Sequence, residues 1–276
     1  MTCIPDRPKR VGLLGILLIL IMGAVPASAR ILIPMDLTQT DHLRAYGIAY
    51  WILTRGQTVE WLLNYRGGSF LLEDDPEILA EARIRGVLVE EIDEGAASAI
   101  QAEIEGSNME SILLEKAPRV AIYIPPGFVP WDDAVTLAFA YAQIPYTAIW
   151  DEEVLRGELD NYDWLHLHHE DFTGQYGKFY GSFRNADWYR EQVAREEAQA
   201  ERLGFSKVSE EKKQVTILIR DWVAVGGFLF AMCSATDTFD IALAARKVDI
   251  CAPMFDGDAP DPNASGKLDF TQTLAF

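Results

Sequence analysis

Cysteine is scarce in this sequence, basic residues are outnumbered, and only one long uncharged apolar run occurs. The three cysteines, Cys3, Cys233 and Cys251, are too few for a disulfide framework. A core must therefore come from buried apolar surface rather than covalent staples. With 24 Lys and Arg against 42 Asp and Glu, the formal charge is −18. Such a surface repels nucleic acid and anionic membranes, so no nucleic-acid partner is expected. After the N-terminal run, no segment is long and uncharged enough to span a bilayer.

That run has its own logic. Arg7, Lys9 and Arg10 precede an apolar stretch from Val11 to Val25, and Pro26-Ala27-Ser28-Ala29 follows. A basic head, an apolar body shorter than the ~20 residues of a spanning helix, and a small-residue end make a secretory signal, with cleavage expected after Ala29. No Cys sits just after the cleavage site, so a lipid anchor is not expected. Cleavage removes three basic residues and Asp6, taking the formal charge from −18 to −20. The mature protein is expected in the periplasm or outside the cell, with no stable membrane insertion.

Beyond the signal, branched apolar runs alternate with amphipathic segments, the mark of βαβ units. Strands are expected near residues 31, 60, 120, 147, 165 and 229, with helices between them. The fold class read from this is α/β, a doubly wound, mostly parallel sheet with helices on both faces. Residues 30–115 form one half and 116–276 the other, linked by a charged, weakly patterned helical stretch over 94–117. Phe228-Leu-Phe-Ala-Met232 reads as a central parallel strand, and Val248-Asp-Ile250 as a short one. Residues 172–184, rich in Gly and aromatics, suit a covering loop. The chain stops on Phe270-Thr-Gln-Thr-Leu-Ala-Phe276, a strand or loop in mid-course, so a C-terminal truncation is expected.

The run from Arg119 to His169, followed by Gly227 to Ala245, looks like class I glutamine-amidotransferase-like (flavodoxin-like) domains. Over nearly the whole mature chain there is a closer likeness. Ile33-Pro-Met-Asp-Leu-Thr-Gln-Thr40, Glu60-Trp-Leu-Leu-Asn-Tyr-Arg-Gly-Gly-Ser-Phe70, His166-Leu-His-His-Glu-Asp-Phe-Thr-Gly-Gln-Tyr176 and Phe230-Ala-Met-Cys-Ser-Ala-Thr-Asp-Thr-Phe239 resemble exported bacterial proteins known as asparagine synthetase B. Glutamine-dependent synthetases of that name carry a Cys at the processed N-terminus and a Ser-Gly-Gly-x-Asp-Ser pyrophosphate loop; this sequence has neither. The resemblance thus implies an amidotransferase-like hydrolase or transferase with a Cys nucleophile, no ATP loop and no cofactor. Class I enzymes take their His and Glu from after the Cys.

Cys233 lies between an apolar strand and a helix, where a tight turn presents a nucleophile and the helix N-terminus offers backbone amides, that of Ser234 included, to an oxyanion. Ala231 and Ala235 stand where the amidotransferase pattern has Gly; a buried, inert Cys is the alternative. His168 or His169 is the candidate base, with Glu170 beside them. On a strand, His166 and His168 share a face that His169 does not, unless the strand ends near His168. His166, His168 and Glu170 could instead hold a metal, but spacing completes no ligand set. Asp36 and Arg66, each following a strand, are candidates for substrate binding, Arg66 as an anion clamp, together with Ser234 and Asp237. Asp132 and Asp133 complement the dipole of a helix. Asp256, Asp258, Asp261 and Asn263 imitate a calcium loop without its closing Glu. Trp131, Trp150, Trp164 and Trp188 serve either core packing or stacking on sugar. A non-catalytic module for a carbohydrate, peptide or other small molecule is the competing function.

Overall fold

The computed structural model describes residues 29–127 and 133–275. The signal segment through Ser28, and Trp131 with Asp132, lie outside them. Two sheets share the chain and meet between Leu114 and Val120.

The first sheet comprises β1 (Ala29–Ile33), β2 (Val59–Leu63), β3 (Ser69–Glu73), β4 (Glu90–Asp93) and β5 (Glu110–Leu114), in the order β4-β1-β3-β2-β5. Every pairing in it is antiparallel, so the expected mostly parallel, doubly wound sheet is wrong for this half. The cause is visible in the packing. Helices α1 (His42–Thr54) and α2 (Pro76–Arg85) bury Ile31, Ile33, Phe70 and Leu72, while α3 (Glu94–Glu105) buries Leu32, Leu62 and Leu71 on the opposite face. A strand covered on both sides reads as a continuous apolar run whichever way its neighbours point.

Direction is decided by the turn. Asn64, Arg66, Gly67 and Gly68 all have positive φ, and a Cβ on Gly67 would lie 2.4 Å from the Met35 carbonyl oxygen. The chain reverses there into β3 as a hairpin instead of rising into a helix. The stretch over 94–117 is likewise split: α3 is helical, and β5 is an edge strand whose exposed Glu110, Ser111 and Leu113 blur its alternation.

The second sheet comprises β6 (Val120–Tyr123), β7 (Thr147–Ile149), β8 (Trp164–Leu167) and β9 (Phe228–Ala231), in the order β7-β6-β8-β9 with all pairings parallel. Its helices are α4 (Ala134–Ala142), α5 (Asp151–Leu155), α6 (Gly177–Phe183), α7 (Asp187–Arg202), α8 (Val208–Ala224), α9 (Ser234–Ala244) and α10 (Pro253–Asp256). α4 packs on Val120 and Ile122. On the other face α8 and α9 bury Val215, Ile219, Phe239 and Leu243 against Leu165 and Leu167. Residues 172–184, expected as loop, contain α6.

Two further expectations fail here. β9 is an edge strand, not a central one: nothing pairs beyond it among the described residues, and Phe228 and Phe230 are 57% and 47% exposed. Val248 to Ile250 is not a strand. The 270–275 segment opens with a 3-10 turn, and the Leu274 and Ala275 amides donate to the Asp240 carboxylate at 2.9 Å each.

The two halves join through α1 and α4. A Cβ on Gly47 would lie 1.9 Å from the Ala142 carbonyl oxygen, so glycine alone fits where these helices cross. Tyr141 hydroxyl donates to Asp41 at 2.5 Å, and the Arg44 guanidinium sits 4.8 Å from the Tyr141 ring centre. Among the described residues no helix is long and apolar enough to cross a membrane.

Candidate functional site

In the parallel sheet, β7 lies on one side of β6 and β8 on the other. The connections therefore diverge between β6 and β8, which opens a crevice at their carboxyl ends. Asp133, the cap of α4, comes from the β6 side, and His168, His169 and Glu170 follow β8.

Asp133 does more than cap. Its Oδ1 accepts from the Val135 and Thr136 amides at 2.8 and 3.1 Å. Its Oδ2 lies 2.5 Å from His168 Nδ1 and 3.4 Å from His169 Nδ1, and the two ring nitrogens are 3.1 Å apart. Burial opposes its charge, yet His168 and the capping amides outweigh burial and hold its pKa below the ordinary value. Because β8 ends at Leu167, both histidines leave the strand's alternation and reach the same carboxylate. His166 remains within the strand. It stacks on Phe230 at 5.3 Å, and its ring nitrogens have no partner among the described residues. Burial, then the neighbouring His168, pulls its pKa down to about 4, which makes it a neutral packing residue.

Cys233 is exposed and holds φ 55°, ψ −141° immediately before α9, a backbone region costly for any side chain. Its thiol makes no hydrogen bond among the described residues. The loop after β8 is laced to the first turns of α9: Ser234 Oγ donates to the His169 carbonyl at 2.9 Å, the Ala235 amide to that of His168 at 3.3 Å, and Thr238 Oγ1 to that of Glu170 at 2.9 Å. Asp237 is exposed on the first turn of α9. Cys251 is buried and free, so no disulfide joins it to Cys233; it donates to the Gly174 carbonyl, and burial pushes its thiol up to about 12.

Beside this edge lies a pocket of about 340 Å³, walled by Trp150, Tyr176, Phe179, Trp188 and Tyr189 and reached by Glu170, Ser234 and Thr238. Burial raises the Glu170 carboxyl to about 7, although its Oε2 accepts from the His168 amide at 2.9 Å. Under the pocket, Lys212 Nζ contacts Asp151 at 2.7 Å and Tyr123 hydroxyl at 3.1 Å, and it lies 3.9 Å from the Trp150 ring centre. Both members of the ion pair are fully buried. Sequence reasoning missed Lys212, Tyr176, Tyr189 and Glu196. The available signal was a lysine inside the apolar stripe Val208, Lys212, Val215, Ile219, Trp222 of α8.

Asp36 and Arg66 belong to the antiparallel sheet and meet each other, not the Cys233 edge. Arg66 Nε contacts Asp36 at 2.7 Å, and its two terminal nitrogens reach Glu90 at 2.9 Å each. That pairing holds the Asp36 carboxyl well below the usual range. Trp164 packs in the core against Phe139 and Phe228, whereas Trp150 and Trp188 line the pocket. Asp256 and Asp258, with Asp249, surround Lys207. No protein-family model, curated protein or solved structure matches the chain.

Proposed function

We propose that this chain is an exported amidotransferase-like hydrolase or transferase in which Cys233 attacks an acyl carbon, His168 takes the thiol proton, and Asp133 positions His168. The observation that carries the reading is the Cys233 backbone. A side-chain-bearing residue at φ 55°, ψ −141° between a parallel strand and a helix N-terminus stores strain that persists where a nucleophile must be presented. The strand order of the second sheet, which is the start of the flavodoxin-like 2-1-3-4-5 order, supports an amidotransferase-like core for residues 116–276. Export rests on residues 1–29.

In this mechanism the Asp133 contact to Nδ1 keeps Nε2 of His168 as the base. The Sγ–C bond forms while the thiol proton moves to Nε2, and the Ser234 amide faces the developing oxyanion. Collapse breaks the bond to the leaving amine or alkoxide, which carries the proton away. Water or an acceptor amine then cleaves the thioester and restores the thiol. All three groups precede or include Cys233, so this arrangement differs in order from class I enzymes.

The test is acylation by p-nitrophenyl acetate followed by intact-mass and peptide mapping. The expected product is a hydroxylamine-labile acetyl group on Cys233, absent from Cys233→Ala and slow to form in His168→Asn. An adduct that persists in Cys233→Ala, or none at all, overturns the reading.

One observation favours a second reading, metal-assisted hydrolysis. The Asp133, His168 and His169 donor atoms are separated by 2.5, 3.1 and 3.4 Å, against roughly 3.3 Å for ligands on a tetrahedral zinc with bonds near 2.0–2.1 Å. This set differs from the His166, His168 and Glu170 of the sequence pattern. Stoichiometric zinc in the purified protein, lost in His169→Ala, would support it. Cys233 acylation by metal-free protein would exclude it.

A further inference from the structure

The pocket beside Cys233 has an uneven chemistry. Its walls are aromatic, and its charged groups are three acids, Glu170, Asp171 and Glu196, with one cation, Lys212. That cation is already committed to Asp151 and Tyr123. Each acid spends one oxygen on this chain: Glu170 on the His168 amide, Asp171 on Thr173, and Glu196 on Gln192. All three line a cavity of about 340 Å³. The pocket therefore carries more acidic than basic side chains, which favours a ligand that brings positive charge.

A second, independent feature points the same way. Tyr176 lines the pocket and is only 7% exposed, and its buried hydroxyl has no partner among the described residues. A buried hydroxyl without a partner costs on the order of 1–3 kcal/mol, so this corner of the pocket has a polar group left over for a ligand that settles against the Tyr176 ring. Rings complete the environment. Trp188 lies 5.8 Å from Tyr189 and 5.6 Å from Phe179, and Tyr176 lies 6.3 Å from Tyr189. Aromatic faces stabilise a cation through their quadrupoles, most strongly where water is excluded. An ammonium has three donors and no acceptor, and it matches both the rings and the carboxyls. A sugar hydroxyl brings an acceptor with each donor and no charge.

From these features we infer that the pocket takes an alkylammonium or guanidinium group, so that the substrate of the Cys233 edge is an amide or ester bearing a basic side chain of the lysine or arginine type. The inference rests on the reading of Cys233 as nucleophile for its substrate clause; occupancy of the pocket does not. Charge steering by the strongly acidic surface would favour the same ligand.

The test is calorimetric titration of the whole protein with Nα-acetyl-lysine methylamide and, as neutral isostere, Nα-acetyl-norleucine methylamide, with glucose as a third probe. The lysine probe is expected to bind roughly tenfold or more tighter than the norleucine probe, and to weaken in higher salt. Glu196→Gln should cost severalfold. Trp188→Leu, at a half-exposed position that leaves the fold intact, should cost roughly fivefold to thirtyfold. Cys233→Ser should bind the lysine probe as wild type does. Equal or tighter binding of the norleucine probe or glucose overturns the inference, as does absence of any lysine-probe binding at millimolar concentration. Lysine-probe binding without Cys233 acylation would remove the nucleophile reading and leave the cation pocket standing. Acylation without such binding would do the reverse.

Discussion

Replacing Cys233 by Gly and by Ser tests whether its turn is strained. At φ 55°, ψ −141° a residue with a Cβ sits in a region that costs about 1–3 kcal/mol. Glycine relieves most of that cost, while its freer unfolded chain gives back about 0.4–1 kcal/mol. Because Cys233 is exposed, the lost side-chain contacts are small and common to both variants. Serine is the better helix cap, so capping works against the predicted order. The Gly variant should therefore be more stable than the Ser variant by roughly 0.5–2 kcal/mol, a melting temperature higher by roughly 1–8 °C for a protein of this size. Thermal unfolding by circular dichroism, with urea midpoints at unchanged slope, measures the difference. A Gly variant that melts at or below the Ser variant would mean a relaxed turn, and the presentation argument would fall with it.

Three other outcomes follow from the packing. Lys212→Met leaves Asp151 buried without its cation and should destabilise by about 3–5 kcal/mol, most of it recovered when Asp151→Leu is added; denaturant titration of the single and double variants checks this. Glu211, raised by burial from 4.5 to about 7, holds in the folded state a proton that the unfolded state has lost, so it subtracts stability as pH rises through that window. Glu211→Gln should accordingly gain on wild type in melting temperature between about pH 5 and pH 8, and a constant difference would contradict the assignment. Gly47→Ala should cost about 1–3 kcal/mol by driving α1 from α4, and a neutral effect would refute the close crossing inferred from the Ala142 carbonyl.

The parallel half was legible because its strands are both apolar and separated by helices long enough for crossovers, so β6, β7, β8 and β9 stand near their expected places. The antiparallel half was not. Ile31, Leu32, Ile33 and Leu71 are buried from both sides, and period alone carries no strand direction. The decisive residues were Asn64 to Gly68, whose left-handed conformations make a hairpin from a segment that also fits a strand-to-helix turn. At the site, Cys233, His168, His169 and Glu170 gather on one edge because their strands are adjacent and parallel. Asp36 and Arg66 share an edge too, since β1 and β2 both run antiparallel to β3, but it is an edge of the other sheet. Asp133 was hidden by its first duty: one oxygen caps α4, and only the fold shows the other meeting His168.

The most direct test of the central claim is the rate of Cys233 alkylation by iodoacetamide at about pH 6.5, compared with a cysteine peptide and with the His168→Asn and Asp133→Asn variants. An activated thiol should react roughly tenfold or more faster than the peptide, fall to the peptide rate in His168→Asn, and slow partly in Asp133→Asn, where asparagine still caps α4. Reaction at the peptide rate in wild type, or a fast rate indifferent to His168, would contradict the account.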